Sequence, residues 1–189
     1  MGTIRPFNPV KLFIGLLASE TPLIPRLEDR LSSEFGPVDH RSGIIPFRFT
    51  SYYEKEMGAH IDRVFFSFER LIEAGRLPEI KCRTNVLEEE FRSESAGGST
   101  VQRPVNLDPG YLEHAKVVLA STKNFYHRLY LGKGIFGEVT MHFRKDKFEF
   151  FPWTYPDYQS PEYLEFFTAM RRIYRLQLRA MCIVRQEEA

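Results

Sequence analysis

An α+β fold is what this chain predicts, with its helices mainly on one face of a mostly antiparallel sheet. Three observations lead there. The first part of the chain alternates short apolar runs with segments of helical period. The stretch Lys123–Phe151, KNFYHRLYLGKGIFGEVTMHFRKDKFEFF, combines β-branched and aromatic residues with two turn signals, as an antiparallel meander does. And 17 Phe with 9 Tyr among 189 residues suit a sheet-based core.

Each element has its own signal. Residues 1–9, with Pro6 and Pro9, read as an extended lead-in, and Lys11–Leu17 (KLFIGLL) as a buried central strand. Thr21-Pro22 reads as a helix start, Leu23, Leu27, Leu31 and Phe35 repeat at helical spacing, and Gly36-Pro37 stops the helix. Ile44–Phe49 reads as a second strand, with Pro46 marking an edge position or a bulge. Ser51-Tyr52-Tyr53-Glu54 matches a capping box for a short helix that ends at Gly58. Arg63–Leu71 (RVFFSFERL) is a third strand, and from Leu77-Pro78 a helix presents Leu77, Ile80, Thr84, Leu87 and Phe91. On that helix Lys81, Asn85, Glu88 and Glu89 are expected to turn away from the core. Residues 92–102, RSESAGGSTVQ, are expected to be a mobile surface loop inside a single domain of residues 1–189. Arg103–Leu107 is a short fourth strand, and Asp108-Pro109-Gly110 is expected to cap a helix carrying Leu112, Ala115, Val118 and Leu119. Ser160-Pro161-Glu162 opens the last helix, whose apolar stripe runs from Tyr163 through Phe166, Phe167, Met170, Ile173 and Tyr174 to Leu178. The first part thus follows the ferredoxin-like βαββαβ order, extended by a helix, the antiparallel meander and a C-terminal helix.

Composition excludes several classes. A net charge of +1 gives no bulk attraction to nucleic acid or to an anionic membrane, and no run reaches the length of a membrane span. Cys82 and Cys182 are far apart, in segments that read as helix, and fit buried thiols in a reducing compartment. With no secretion signal at the N-terminus, a cytoplasmic location is the expectation. Gly132-Lys133 is the one Gly-Lys pair, but Gly134 follows it and His127 stands where a phosphate-cradling P-loop has its first glycine. The sequence names no cofactor.

Four stretches taken in order, YYEKEMG (Tyr52–Gly58), SFERLI (Ser67–Ile72), NLDPGYL (Asn106–Leu112) and PWTYPDY (Pro152–Tyr158), resemble a family of small bacterial and archaeal proteins known as a domain of unknown function. The likeness covers nearly the whole chain. It implies no activity, substrate or catalytic residue.

Candidate chemistry therefore comes from the residues. If Gly132-Lys133 form the meander's turn, Leu131 faces Gly134, and His127 lies opposite Glu138, Phe125 opposite Thr140 and Lys123 opposite His142. A histidine oriented by a carboxylate is a competent general base, so His127 and Glu138 are the catalytic candidates, with Lys123, Arg128 and His142 beside them. The two histidines stand too far apart on the pleat to share a metal, and none is expected. Asn106 and Asp108 sit at a strand end where ligands often bind, although a helix cap is the plainer role for Asp108. Trp153 and Tyr155, with Tyr158, Tyr52 and Tyr53, form either a stacking wall or a loop pinned to the core. Of Glu69 and Arg70 one is expected to face inward. The function expected is that of an enzyme or binding protein for a small anionic metabolite or nucleotide. The alternative is a non-catalytic interaction module that meets a protein or RNA partner through the aromatic loop 152–158 and the arginine-bearing C-terminal helix.

Overall fold

The computed structural model describes residues 2–3, 7–95 and 101–187, the last six as backbone alone. Its strands are β1 (Val10–Ala18), β2 (Val38–Arg41), β3 (Ile45–Pro46), β4 (Asp62–Ile72), β5 (Val105–Leu112), β6 (Lys116–Ser121), β7 (Leu129–Gly132), β8 (Ile135–Arg144) and β9 (Lys147–Phe150). Its helices are α1 (Leu23–Phe35), α2 (Glu54–Met57), α3 (Leu77–Ser95) and α4 (Pro161–Glu187). The fold is α+β. One sheet runs β2-β4-β1-β5-β6-β8-β7, with β3 paired to β4 and β9 to β8, and all its pairings are antiparallel.

β1 is buried at every position, so both of its faces must be covered. Val10, Leu12, Ile14, Leu16 and Ala18 meet Ile24, Leu27 and Leu31 of α1 and Ile80, Leu87 and Phe91 of α3. Phe13 points the other way and joins Phe65 and the α4 residues Tyr163, Phe166, Phe167 and Met170. The helices therefore do not keep mainly to one face: α1 and α3 cover one and α4 the other, because a strand apolar on both sides leaves neither to solvent. Phe13 meets Phe167 edge-on at 5.0 Å and Phe65 meets Tyr163 at 4.6 Å between centroids, contacts worth about 1 kcal/mol each beyond area burial.

Several local expectations change. Thr21 does not cap α1: its hydroxyl donates to Asp62 at 2.6 Å. No side chain caps α2, although Gly58 ends it with its N–H on the Glu54 carbonyl. The second strand forms at Val38–Arg41, beyond the Gly36 stop, and the Ile44–Phe49 run supplies only the two-residue edge strand β3. Glu69 and Arg70 are both exposed. Arg92–Ser95 continue α3, while residues 96–100 of the expected loop lie outside the described residues.

The largest change is at Asp108-Pro109-Gly110, which starts no helix. Residues 105–121 form the two strands β5 and β6. The spacing of Leu112, Ala115, Val118 and Leu119 imitates a helix, but Val105, Val117 and Val118 prefer the pleat, and β1 offers β5 a full-length edge to pair with. The meander is present with its turn displaced by one residue. Lys133 and Gly134, at φ 55° and 75°, occupy the reversal between Gly132 and Ile135, as a two-residue hairpin turn requires. Lys145 and Asp146, at φ 48° and 60°, make the second reversal between β8 and β9.

Candidate functional site

β5 and β6 pair only at Gly110–Leu119, Tyr111–Val118 and Leu112–Val117, and toward Leu107 they part. Pro109 has no N–H to offer, so the ladder stops beside it. The exposed β5 backbone is satisfied from α3 instead. The Leu107 N–H donates to Glu88 at 2.8 Å, and its carbonyl accepts from Lys81 Nζ at 2.7 Å. Lys81, Asn85 and Glu88 are thus the α3 residues that enter the opening, against the expectation that they turn away. An unpaired backbone carbonyl there would cost about 1–3 kcal/mol, which explains a lysine only 5% exposed. Burial pushes the Glu88 carboxyl up, and Lys81 and Arg103 hold it back.

A cavity of about 530 Å³ occupies this opening. Lys81 and Asn85 come from α3, Asn106 and Asp108 from β5, and Leu119, Ala120 and Ser121 from β6. Tyr52 and Tyr53 close one side, Tyr155 to Tyr158 another, and Arg63 projects from β4. Gly15 makes that projection possible. A Cβ there would lie 2.9 Å from Arg63 Nη1 and 2.8 Å from Phe65 Cε1, so the guanidinium occupies the space a side chain would take. Phe47, Phe65 and Tyr163 surround it, with centroids 5.4, 5.5 and 6.0 Å from Cζ.

Arg63 is charged yet incompletely paired. Burial works against its charge, but Tyr163, Asp108, Tyr158 and Asp157 outweigh that and hold its pKa above the usual value. Asp108 Oδ2 is 3.5 Å from Nη1 and Asp157 Oδ2 3.8 Å from Nη2, too far for hydrogen bonds. Nε and Nη1 have no acceptor, although both are buried. Asp157 is itself raised above the ordinary carboxylate range, by burial first, with Arg63 opposing. Asp108 takes a 2.7 Å hydrogen bond from Asn106 and lies 3.7 Å from Lys81 Nζ.

Across the cavity stands Glu138, only 3% exposed. Its Oε2 accepts from Arg128 Nε at 2.6 Å and meets His127 Nε2 at 3.0 Å. Arg128 also donates to Ser121 Oγ, the Lys123 carbonyl and the Tyr155 hydroxyl. Burial opposes its charge, and the bond to Glu138 raises its pKa in net. Glu138 Oε1 has no partner.

Of the residues singled out from the sequence, Asn106, Asp108, Lys123, Arg128, Glu138 and Tyr155 all line this cavity. His127 and Glu138 do touch, but not as a cross-strand pair. His127 lies in the turn before β7, and Leu129 already pairs with Gly137. The imidazole stands behind the carboxylate, stacked on Trp153 at 5.1 Å and 9°. Trp153 continues the stack to Phe151 and donates its indole N–H to the Val139 carbonyl. His142 is elsewhere: it pairs across strands with Lys116 and Glu149, not Lys123, and bonds Glu149 at 3.1 Å. Among the described residues no group of His, Cys, Asp and Glu has the arrangement of a metal site. Asp108 caps nothing and faces the cavity.

Arg63, Lys81, Arg103 and Asp157 were not anticipated. A signal existed for Arg63, a charge on the same strand parity as Phe65 and Ser67. No local signal marks Lys81, since the opening it enters is made by Pro109, 28 residues away in the chain.

No helix among the described residues is long and apolar enough to cross a membrane. No curated protein matches the chain, and no solved structure does. The four stretches quoted above include three that line the cavity, through Tyr52 and Tyr53, Asn106 and Asp108, and Tyr155 to Tyr158. A family model described as a domain of unknown function (DUF4416) matches residues 8–174, and the chain belongs to that family.

Proposed function

We propose that this chain binds a small anionic metabolite or nucleotide in the cavity between β5 and β6, with Arg63 as the anchor of the anionic group. The observation that carries this is Arg63, a residue of the cavity lining whose side chain is 4% exposed and whose guanidinium has two nitrogens without an acceptor. Buried donors left unpaired cost about 1–3 kcal/mol each, and an anionic oxygen supplies the kind of acceptor they lack. Five cationic side chains line the cavity against three carboxylates, which favours a negative occupant. Tyr52 and Tyr155, both about half exposed at the rim, offer ring faces to a planar group. The half-buried free thiol of Cys82 suits a cytoplasmic setting.

His127 serves the site by holding Glu138 rather than by touching a ligand. The alternative, an interaction module using loop 152–158 and α4, has less support. Thr154, Asp157 and Tyr158 are buried, and the stripe of α4 is spent on the core.

A thermal-shift screen against nucleotides, sugar phosphates and dicarboxylates tests the proposal. A ligand at a hundred times its Kd adds about 2.7 kcal/mol, which raises Tm by roughly 5–10 °C in a chain of this size. Arg63→Lys, which keeps the charge and loses the fork, should abolish that rise. If no anion shifts Tm, or if the shift survives in Arg63→Lys, the proposal fails.

A further inference from the structure

The unpartnered Glu138 oxygen asks for something different from what Arg63 asks for. Glu138 is held rigidly from behind by Arg128 and His127, both on Oε2. Glu138 is one of the residues lining the cavity, its side chain is 1% exposed, and Oε1 is buried with nothing to accept from. A carboxylate oxygen so placed wants an N–H or O–H donor and repels an anion. The Arg63 guanidinium lies over Gly15 of β1, and Glu138 stands on β8. Two strands, β5 and β6, separate them, a span on the order of 14 Å at the usual strand spacing. Tyr52 and Tyr155 flank the Glu138 end, where Tyr155 bonds Arg128 and Tyr52 bonds Lys123.

From this we infer that Glu138 is the specificity residue of the cavity, and that the ligand is bipartite: an anionic group at Arg63 and, at its far end, a planar group whose N–H donates to Glu138 Oε1. A nucleoside phosphate has that chemistry and that length, with the base between aromatic faces and the phosphate at the arginine. A sugar phosphate has the anion but only hydroxyl donors and no planar face. The inference rests on the binding proposal above and deepens it.

Calorimetric titration of the full chain with ribose 5-phosphate and with the four common nucleoside monophosphates separates the two claims. Glu138→Gln is the matched variant. Its amide oxygen can keep facing Arg128 and His127, while its NH2 replaces the acceptor Oε1 with a donor. The wild type should bind at least one nucleoside monophosphate ten times or more tighter than ribose 5-phosphate, a difference of about 1.4 kcal/mol. Glu138→Gln should erase that preference, weakening the preferred nucleoside monophosphate at least tenfold toward the level of ribose 5-phosphate. Should the variant not fold, the wild type is titrated with the preferred nucleotide and its N-methylated counterpart, and methylation should cost the same tenfold. Equal binding of all five probes by the wild type, or a preference that survives both Glu138→Gln and methylation, would overturn the inference while leaving Arg63 as an anion anchor. Absence of any binding would overturn both.

Discussion

Replacing Gly15 with alanine perturbs fold and site at one point, and its cost can be worked from the structure. The added Cβ would stand 2.8 Å from Phe65 Cε1, 2.9 Å from Arg63 Nη1 and 3.2 Å from Phe65 Cδ1. Phe65 cannot retreat easily, since it is fully buried and its ring meets Tyr163 at 4.6 Å and Phe166 at 5.1 Å. The guanidinium is the softer neighbour and should move away from Gly15. Overpacking of this kind costs about 1–3 kcal/mol, and stiffening of the unfolded chain returns about 0.4–1 kcal/mol. The net loss is on the order of 1–2 kcal/mol, a fall in Tm of roughly 2–8 °C. Calorimetric melting measures the first effect. Titration with whichever anion the thermal screen identifies measures the second, expected as a weaker Kd because Arg63 is displaced. An alanine variant that melts at or above the wild-type temperature and binds the anion equally well would show that the space over Gly15 is not what seats the arginine.

Three further outcomes follow from the same geometry. Lys81→Met leaves the Leu107 carbonyl without its donor and should cost about 1–3 kcal/mol in urea unfolding; an unchanged midpoint would mean that water replaces the ammonium at no cost. His127→Ala removes the Trp153 stack and one bond to Glu138, so Tm should fall by an amount corresponding to about 1–2 kcal/mol. Binding abolished at an unchanged Tm would return His127 to a direct role. The Asp157 pKa is raised on folding above its ordinary value near 3.8, so the native state binds more protons than the unfolded state, and this group removes stability as pH rises from about 4 through the raised value. Asp157→Asn deletes that loss. Its stability relative to wild type should therefore climb over that window, and a difference independent of pH, measured by denaturant unfolding at several pH values, would contradict the assignment.

Local pattern was enough for β1, α1, β4, α3, α4 and the meander, because each has an apolar period that only one backbone conformation can bury. It also placed His127 beside Glu138, although the turn lies at Lys133-Gly134 and the contact comes from a turn residue. Residues 108–119 misled for a specific reason. Asp-Pro-Gly before apolar residues at spacings of three, three and one is a helix signal by every local rule, and what overrides it is the β1 edge, more than ninety residues earlier.

The amino-acid order by itself determined which segments are amphipathic and that Asn106, Asp108, Lys123, Arg128, Glu138 and Tyr155 are chemically notable. Only the tertiary structure decided that these six share one cavity, and that Arg63 and Lys81 belong with them. The physical reason is that the cavity is a defect in strand pairing: Pro109 interrupts the ladder between β5 and β6, and the unpaired backbone draws in charged side chains from α3. Which charges answer an interrupted ladder depends on what packs over it, and the packing of α3 on β5 joins residues that the chain keeps apart.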